Sequence, residues 1–585
     1  MKSVRGLRSG AATEARVDRF PTLALLGCII TLVACGPAAT RTAESPAAGT
    51  GPGASTRPKT MTIALQRELT SFGDFLGTNV GGNSPEVRKI AHDTLMVDDF
   101  RYVVQPRLAQ ETISVDRGTW QLHADGSMET TWRVRPNVRW HDGAAFTSAD
   151  LLFAFQLYKD HELPTRFTNV LAMMESASAP DPSTFTVRWS RVYTKADQAV
   201  APIPLPRHLL EPLYQQDKAA FINSPLFGAE WVGLGPYRLI RWEAGSMMEF
   251  VRFDDYYLGR PPLDRIVIQY IQDGNTMLAN FLAGTVDVVP PENVDVTTAV
   301  ELSRRLDGTG HRVRLDPTER LLQLEFQMRP EYARPSNGVT NRAVRQALYH
   351  ATDRAALAEV VNGNRAPVTD HWFVPGDPLG AAVSPRVPSY PLDTNRALRL
   401  LADAGWTRGP DGALTARADG ERLQLDILAR AGSAGVDSLI QVVADQWRAL
   451  GVQPSAFPIP AALSADREYQ TKYTGVLAAF PSANSIYEVR LHSRYVSAAE
   501  NRWTGQNRAG YVNPRVDQLI DTLLITINPR DQVRLHGDLA QEVFTDVPFI
   551  PVTWDVFPVL VLRGVKGDIS AVNAAWNIFE WDKEG

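Results

Sequence analysis

Cysteine is nearly absent: 585 residues carry two, Cys28 and Cys35, both close to the amino terminus. The body that follows can therefore form no internal disulfide and no cysteine-based metal site. Basic tracts are missing too. Residues 1–34 hold five Lys/Arg and two Asp/Glu, so the remainder has a formal charge of −8 against −5 for the whole chain. An acidic body without a basic run argues against nucleic acid and against an electrostatic membrane-binding face. Beyond the first 35 residues no apolar run approaches the roughly 20 residues a spanning helix needs. Enzyme motifs are also wanting. Residues 431–435 (AGSAG) place alanine where a nucleophile elbow requires its first glycine, His161-Glu162 has no second histidine at zinc spacing, and no phosphate-binding Walker loop occurs. The ten histidines are scattered, which predicts structural roles and no metal cluster. There is no internal repeat.

What is present begins at the amino terminus. Lys2, Arg5, Arg8, Arg16 and Arg19 flank an apolar run from Phe20 to Ala34, too short to span a membrane comfortably but suited to an export signal. The run closes on Leu32-Val33-Ala34-Cys35, which resembles the lipobox of bacterial lipoproteins, with small Ala34 and Gly36 around the cleavage point. The expectation is a signal peptide over 1–34 and lipidation of Cys35 by a diacylglyceryl group, whose two chains suffice for stable anchoring. Residues 36–59 are almost entirely Ala, Thr, Gly, Pro and Ser, which cannot bury enough apolar surface to offset chain entropy. Residues 35–60 thus read as a lipidated cysteine and a tether spanning roughly 25 to 30 Å.

The rest has the length and apolar content of two or three globular domains. Strand-like alternation or β-branched clustering occurs at Thr62 to Leu65, Thr184 to Trp189, Met248 to Phe253, Ile266 to Ile271, Leu321 to Met328 and Leu423 to Leu428. Helical spacing predicts helices at Ser148 to Lys159, Arg342 to Val361, Thr394 to Ala404, Asp437 to Leu450 and Arg530 to Phe544, with Gly405 and Gly451 as stops. Strands and helices are interspersed, so the class is α/β with several sheets.

Residues 131–150 (TWRVRPNVRWHDGAAFTSAD) read physically as a strand, a break at Pro136-Asn137, a tight His141-Asp142-Gly143 turn, and a helix start capped by Thr147 or Ser148. The segment resembles a motif of the family 5 extracellular solute-binding proteins, the oligopeptide, dipeptide and nickel binders of ABC importers. Further segments resemble the same family in the same order: residues 205–209 (LPRHL), 233–237 (GLGPY), 254–264, 281–289, 344–354 (VRQALYHATDR), 395–406, 447–452, 511–519 and 547–551. A turn and a cap explain His141 and Asp142 without any ligand.

The resemblance implies a periplasmic-binding-protein-like clamshell, type II with an additional subdomain in the first lobe. The first lobe would comprise 61–100, 222–310 and 548–585, the subdomain 101–221, and the second lobe 311–547. It further implies a monomer that captures a small solute, peptide or peptide-like, between its lobes and hands it to an ABC permease with its ATPase subunits, using no cofactor and performing no catalysis. Oligosaccharides and metal chelates are alternative ligands in the same fold, and a secreted hydrolase is the alternative from another class. Peptide binders of the family clamp the peptide ammonium with an aspartate in a stretch whose equivalent here is 476–484 (VLAAFPSAN), and no aspartate stands there. Glu488 is a substitute. Other candidate ligand contacts are Phe72 and Asn79 in the loop after the first strand, Phe480, Ser482 and Asn484 in the 476–484 stretch, and Trp503 in a polar loop. Core packing and turn formation compete for Phe480, Ser482 and Asn484.

Overall fold

A computed structural model describes residues 58–73, 84–164, 169–198, 202–430, 434–464, 466–483 and 486–584. Cys35, Asn79 and Asn484, and with them the lipidation and two of the candidate contacts, lie outside the described residues.

The organising element is a ten-stranded sheet carried by two long strands at its centre, Arg312–Phe326 and Phe549–Val561. They run antiparallel, from Arg312 opposite Val561 to Glu325 opposite Phe549. On one side Phe549–Val561 passes to Val288–Val289, then Thr60–Leu65, Arg265–Tyr270, Met247–Arg252 and Tyr237–Glu243. On the other, Arg312–Phe326 passes to Val476–Ala479, Gln424–Arg430 and Gln453–Ile459. The two groups form the two lobes of an α/β fold. Their apolar faces are separate, one buried cluster running from Met61 to Trp581 and another from Leu322 to Val552.

The register between the long strands shifts twice, between Pro317 and Leu321 and again between Leu322 and Gln323. Within the first shift Tyr102 donates its hydroxyl to the Glu319 carboxylate, while the Glu319 N–H donates back to the Tyr102 oxygen at 2.9 Å. Arg320 pairs with Asp555 at 3.2 Å, across the two strands.

A four-stranded antiparallel sheet forms beside the first lobe from Trp120–Leu122, Met128–Arg133, Thr184–Trp189 and Met174–Asp181, in that order. The predicted helix Ser148–Lys159 is present with both ends as read. Thr147 is its N-cap, and Asp150 reaches back to the Thr147 N–H at 2.8 Å. The subdomain is fastened where three of the family-like segments meet. The His141 Nδ1 accepts from the Gly233 N–H at 3.2 Å and its Nε2 donates to the Gly235 carbonyl at 2.9 Å. His208 closes on Asp142 at 2.6 Å. Only glycine fits at 235, because a Cβ there would lie 2.4 Å from the Ala91 carbonyl carbon and the His92 nitrogen. Burial holds the His141 imidazole near a pKa of about 4, consistent with an Nδ1 that must stay an acceptor.

Two expectations are corrected. Arg342 to Val361 is not one helix but two, Arg342–His350 and Arg354–Asn362. The break is local chemistry: Thr352 turns its hydroxyl back onto the Leu348 carbonyl, and Asp353 caps the new helix by accepting the Ala356 N–H. Leu321 to Met328 is the end of a strand of 15 residues, whose first half carries Arg312, Arg314 and Asp316 and so hides its β character. The helices ending before Gly405 and Gly451 stop as read, with φ of +91° and +104° at those glycines.

Candidate functional site

The two lobes face each other across a cavity of about 630 Å³, within the range that encloses a drug-sized ligand. One wall belongs to the first-lobe side: Asp98 at the end of the strand Met96–Asp98, Tyr102, the loop from Ile113 to Trp120, and the turn from Thr194 to Gln198. The opposite wall is built from Trp372, Phe373 and Val374, the start of the helix Pro378–Val383, Ala483 and Tyr487, and the first turns of the helix Pro529–Asp546 with His536.

Tyr487 and Glu488 sit in a single π-helical stretch, Ile486–Leu491, a wide turn that recurs at functional sites. It brings Glu488 to the opposite wall. The Lys195 ammonium meets the Glu488 carboxylate at 2.9 Å, with the ammonium 5.9 Å from the centre of the Tyr487 ring. This ion pair joins the two walls beside Tyr487, with Lys195 but not Glu488 lining the cavity.

The electrostatics of the walls differ. The first-lobe wall is acidic: burial raises the Asp98 carboxyl above its ordinary range, with Lys89 opposing and Asp99 adding to the rise. Burial raises Asp197 as well, and the charge of Asp98 adds to it. The second-lobe wall is aromatic. Trp372 is 2% exposed, stacks on Phe544 at 5.1 Å, and leaves its Nε1–H without a partner. His536 packs edge-on to Tyr487 at 5.2 Å, its Nδ1 also without a partner, and burial followed by the Lys195 charge lowers it to about 4. Among the described residues no three His, Cys, Asp or Glu side chains converge to hold a metal ion.

None of the candidate contacts within the described residues lines this cavity. Phe72 is a core residue, 3% exposed and stacked on Trp231 at 5.0 Å. Phe480 packs against the second-lobe core with the Arg320 guanidinium 5.6 Å above its ring, and Ser482 bridges to the backbone of Arg320, so both sit beside the register break. Trp503 adopts φ +58° and covers Lys472, whose ammonium lies 5.0 Å from the ring. The nearest approach to the stretch containing Phe480 and Ser482 is Ala483, which does line the cavity. Asp98, Lys195, Asp197, Trp372 and His536 were not singled out in the sequence. The adjacent Tyr487-Glu488 pair carried the available signal, as the aromatic and acidic residues following the family's ligand-binding stretch.

A two-lobed α/β body with an interlobe cavity, bridged by two strands, defines a solute-binding protein. The chain belongs to the bacterial extracellular solute-binding proteins, family 5, whose model matches residues 103–496. It is accordingly extracytoplasmic, and no helix among the described residues is long and apolar enough to cross a membrane. The oligopeptide-binding protein AppA of Bacillus subtilis is 22% identical over 82% of this chain and 83% of its own length. The heme-binding protein A of Haemophilus influenzae is 23% identical over 80% and 82%. The structure of NikZ from Campylobacter jejuni in complex with Ni(L-His) superimposes with a TM-score of 0.64 at 22% identity, covering 90% of this chain and all of NikZ. By their names AppA and the heme-binding protein A are binding proteins.

Proposed function

We propose that this chain is the receptor of an ABC importer, capturing a peptide or peptide-like solute in the interlobe cavity and delivering it to the permease and its ATPase subunits. The observation that carries this reading is the cavity itself, with walls from both lobes and an ion pair, Lys195 to Glu488, spanning them. Opening and closing about the two long strands would convert occupancy into a shape the permease reads. The register break between Pro317 and Leu321 is the place at which they flex. The names of AppA and of other relatives support a peptide-like ligand. The chain acts as a monomer without catalysis, anchored through lipid on Cys35. Its lobes divide as 61–100, 222–310 and 548–585 for the first, 101–221 for the subdomain and 311–547 for the second.

Native mass spectrometry of the full chain, released from bacterial membranes in detergent, tests the reading: a stoichiometric small-molecule adduct is expected. Conversion of an added peptide mixture to fragments would instead favour the hydrolase. Cys35→Ser tests the anchor separately, since the variant should leave the membrane fraction.

A further inference from the structure

Charge is distributed unevenly in this cavity. Among its lining carboxylates, Asp377 is spent on capping a helix, where it accepts the Leu379 N–H at 2.8 Å. The one lining ammonium, Lys195, is committed to Glu488. Asp98 and Asp197 stand, with Lys195, on the first-lobe wall, close enough to repel one another; Lys89 acts on Asp98 without pairing with it, and among the described residues neither carboxylate forms an ion pair with a Lys, Arg or His nitrogen within 4 Å. Two half-buried carboxylates that repel one another and make no ion pair favour the arrival of a cation.

A second and independent observation lies across the cavity. Trp372 and His536, 2% and 4% exposed, both line it and both carry a buried ring nitrogen without a hydrogen-bond partner. An indole N–H can only donate. A solute completing this wall must bring an acceptor oxygen for it, and the flanking faces of Phe373 and Tyr487 favour an apolar body between.

We infer that the solute carries an ammonium or guanidinium group received by Asp98 and Asp197, together with a carbonyl or hydroxyl oxygen that faces Trp372. This rests on the proposed binding function and narrows it to basic, peptide-like solutes, recognised from the first-lobe wall. It also accounts for a 476–484 stretch without aspartate: the cation is read from the other side of the cavity.

The test uses native mass spectrometry of the full chain in detergent with three equimolar mixtures of peptides two to five residues long. The first has free amino termini and contains Lys and Arg. The second has the same lengths, acetylated, with Gln and Met in place of the basic residues. The third is acetylated and contains Asp and Glu. Bound peptide should be at least about tenfold more abundant from the first mixture, the scale of one charge-assisted hydrogen bond. Asp98→Asn combined with Asp197→Asn should remove that preference. The wild-type comparison needs no variant to fold. Equal capture from the first two mixtures, or preference for the third, overturns the cation inference and leaves the binding function standing. Absence of any adduct from all three, and from a panel of oligosaccharides and metal chelates, overturns the binding function itself.

Discussion

Removing the Lys195 to Glu488 ion pair should shift the balance between closed and open lobes by about fivefold. The separation is 2.9 Å and each side chain is about a quarter exposed, 24% and 27%. At an effective permittivity near 20 the bare attraction at that distance is on the order of 6 kcal/mol, most of it offset by desolvating two charges. Exposed pairs net about 0–1 kcal/mol, and removing one partner of a fully buried pair costs about 3–5 kcal/mol. A pair this accessible belongs near the lower end, about 1 kcal/mol, which corresponds to the fivefold change. Lys195→Met, Glu488→Gln and the double variant complete a cycle whose coupling energy isolates the pair. Spin labels at the exposed positions Gln121, on the subdomain, and Arg530, on the second lobe, report the two distance populations without ligand. The short-distance population should fall in each single variant, fall no further in the double, and depend less on salt than the wild type. Additive effects, or populations unchanged by either substitution, would refute a latch and leave a surface contact without consequence.

Two further outcomes follow from groups that hold the lobes' interiors. His141 resists protonation down to about 4 when folded, whereas an unfolded histidine protonates near 6.5. Its contribution to stability, on the order of 3 kcal/mol, is therefore fully present above pH 6.5 and lost as pH falls toward 4. Chemical denaturation of His141→Gln and wild type between pH 4 and 7.5 should show a gap that narrows on acidification; a constant gap would mean His141 titrates normally. Arg345, 3% exposed, donates to the carbonyls of Val339, Thr340, Asp546 and Val547, tying the helix Arg342–His350 to the start of the second long strand. Arg345→Met should cost about 3 kcal/mol by leaving buried carbonyls unpaired, measured by urea denaturation, while a loss under 1 kcal/mol would mean that water replaces the guanidinium.

The fold was legible wherever local rules spoke alone. Thr147 with Asp150 marked the start of a helix, Gly405 and Gly451 marked ends, and the alternation of Thr184 to Trp189 marked a strand, because capping, positive φ and period-two burial are properties of a few neighbouring residues. The break at Thr352-Asp353 escaped because the apolar spacing on either side continues through it. The first half of the long strand escaped because Arg314 and Asp316 satisfy each other and the segment around Asp568 and Ser570, a partnership 254 residues away in sequence. The role of His141 and Asp142 as turn and fastening was readable from residue types, though not their partners Gly233, Gly235 and His208. The cavity was hardest. Its acids and aromatics come from separate segments, with Asp98 and Asp197 on one wall and Trp372, Tyr487 and His536 on the other, and no local spacing joins them. Phe480 and Ser482 stand close to the right place, but their neighbours are Arg320 and the register break.

Binding between the lobes is tested most directly by hydrogen exchange of the full chain with and without the basic peptide mixture. Slower exchange is expected on both walls together, in the segment from Ile113 to Trp120 and in that from Trp372 to Leu379. Protection confined to one wall, or appearing only elsewhere, would contradict a solute held between the two lobes.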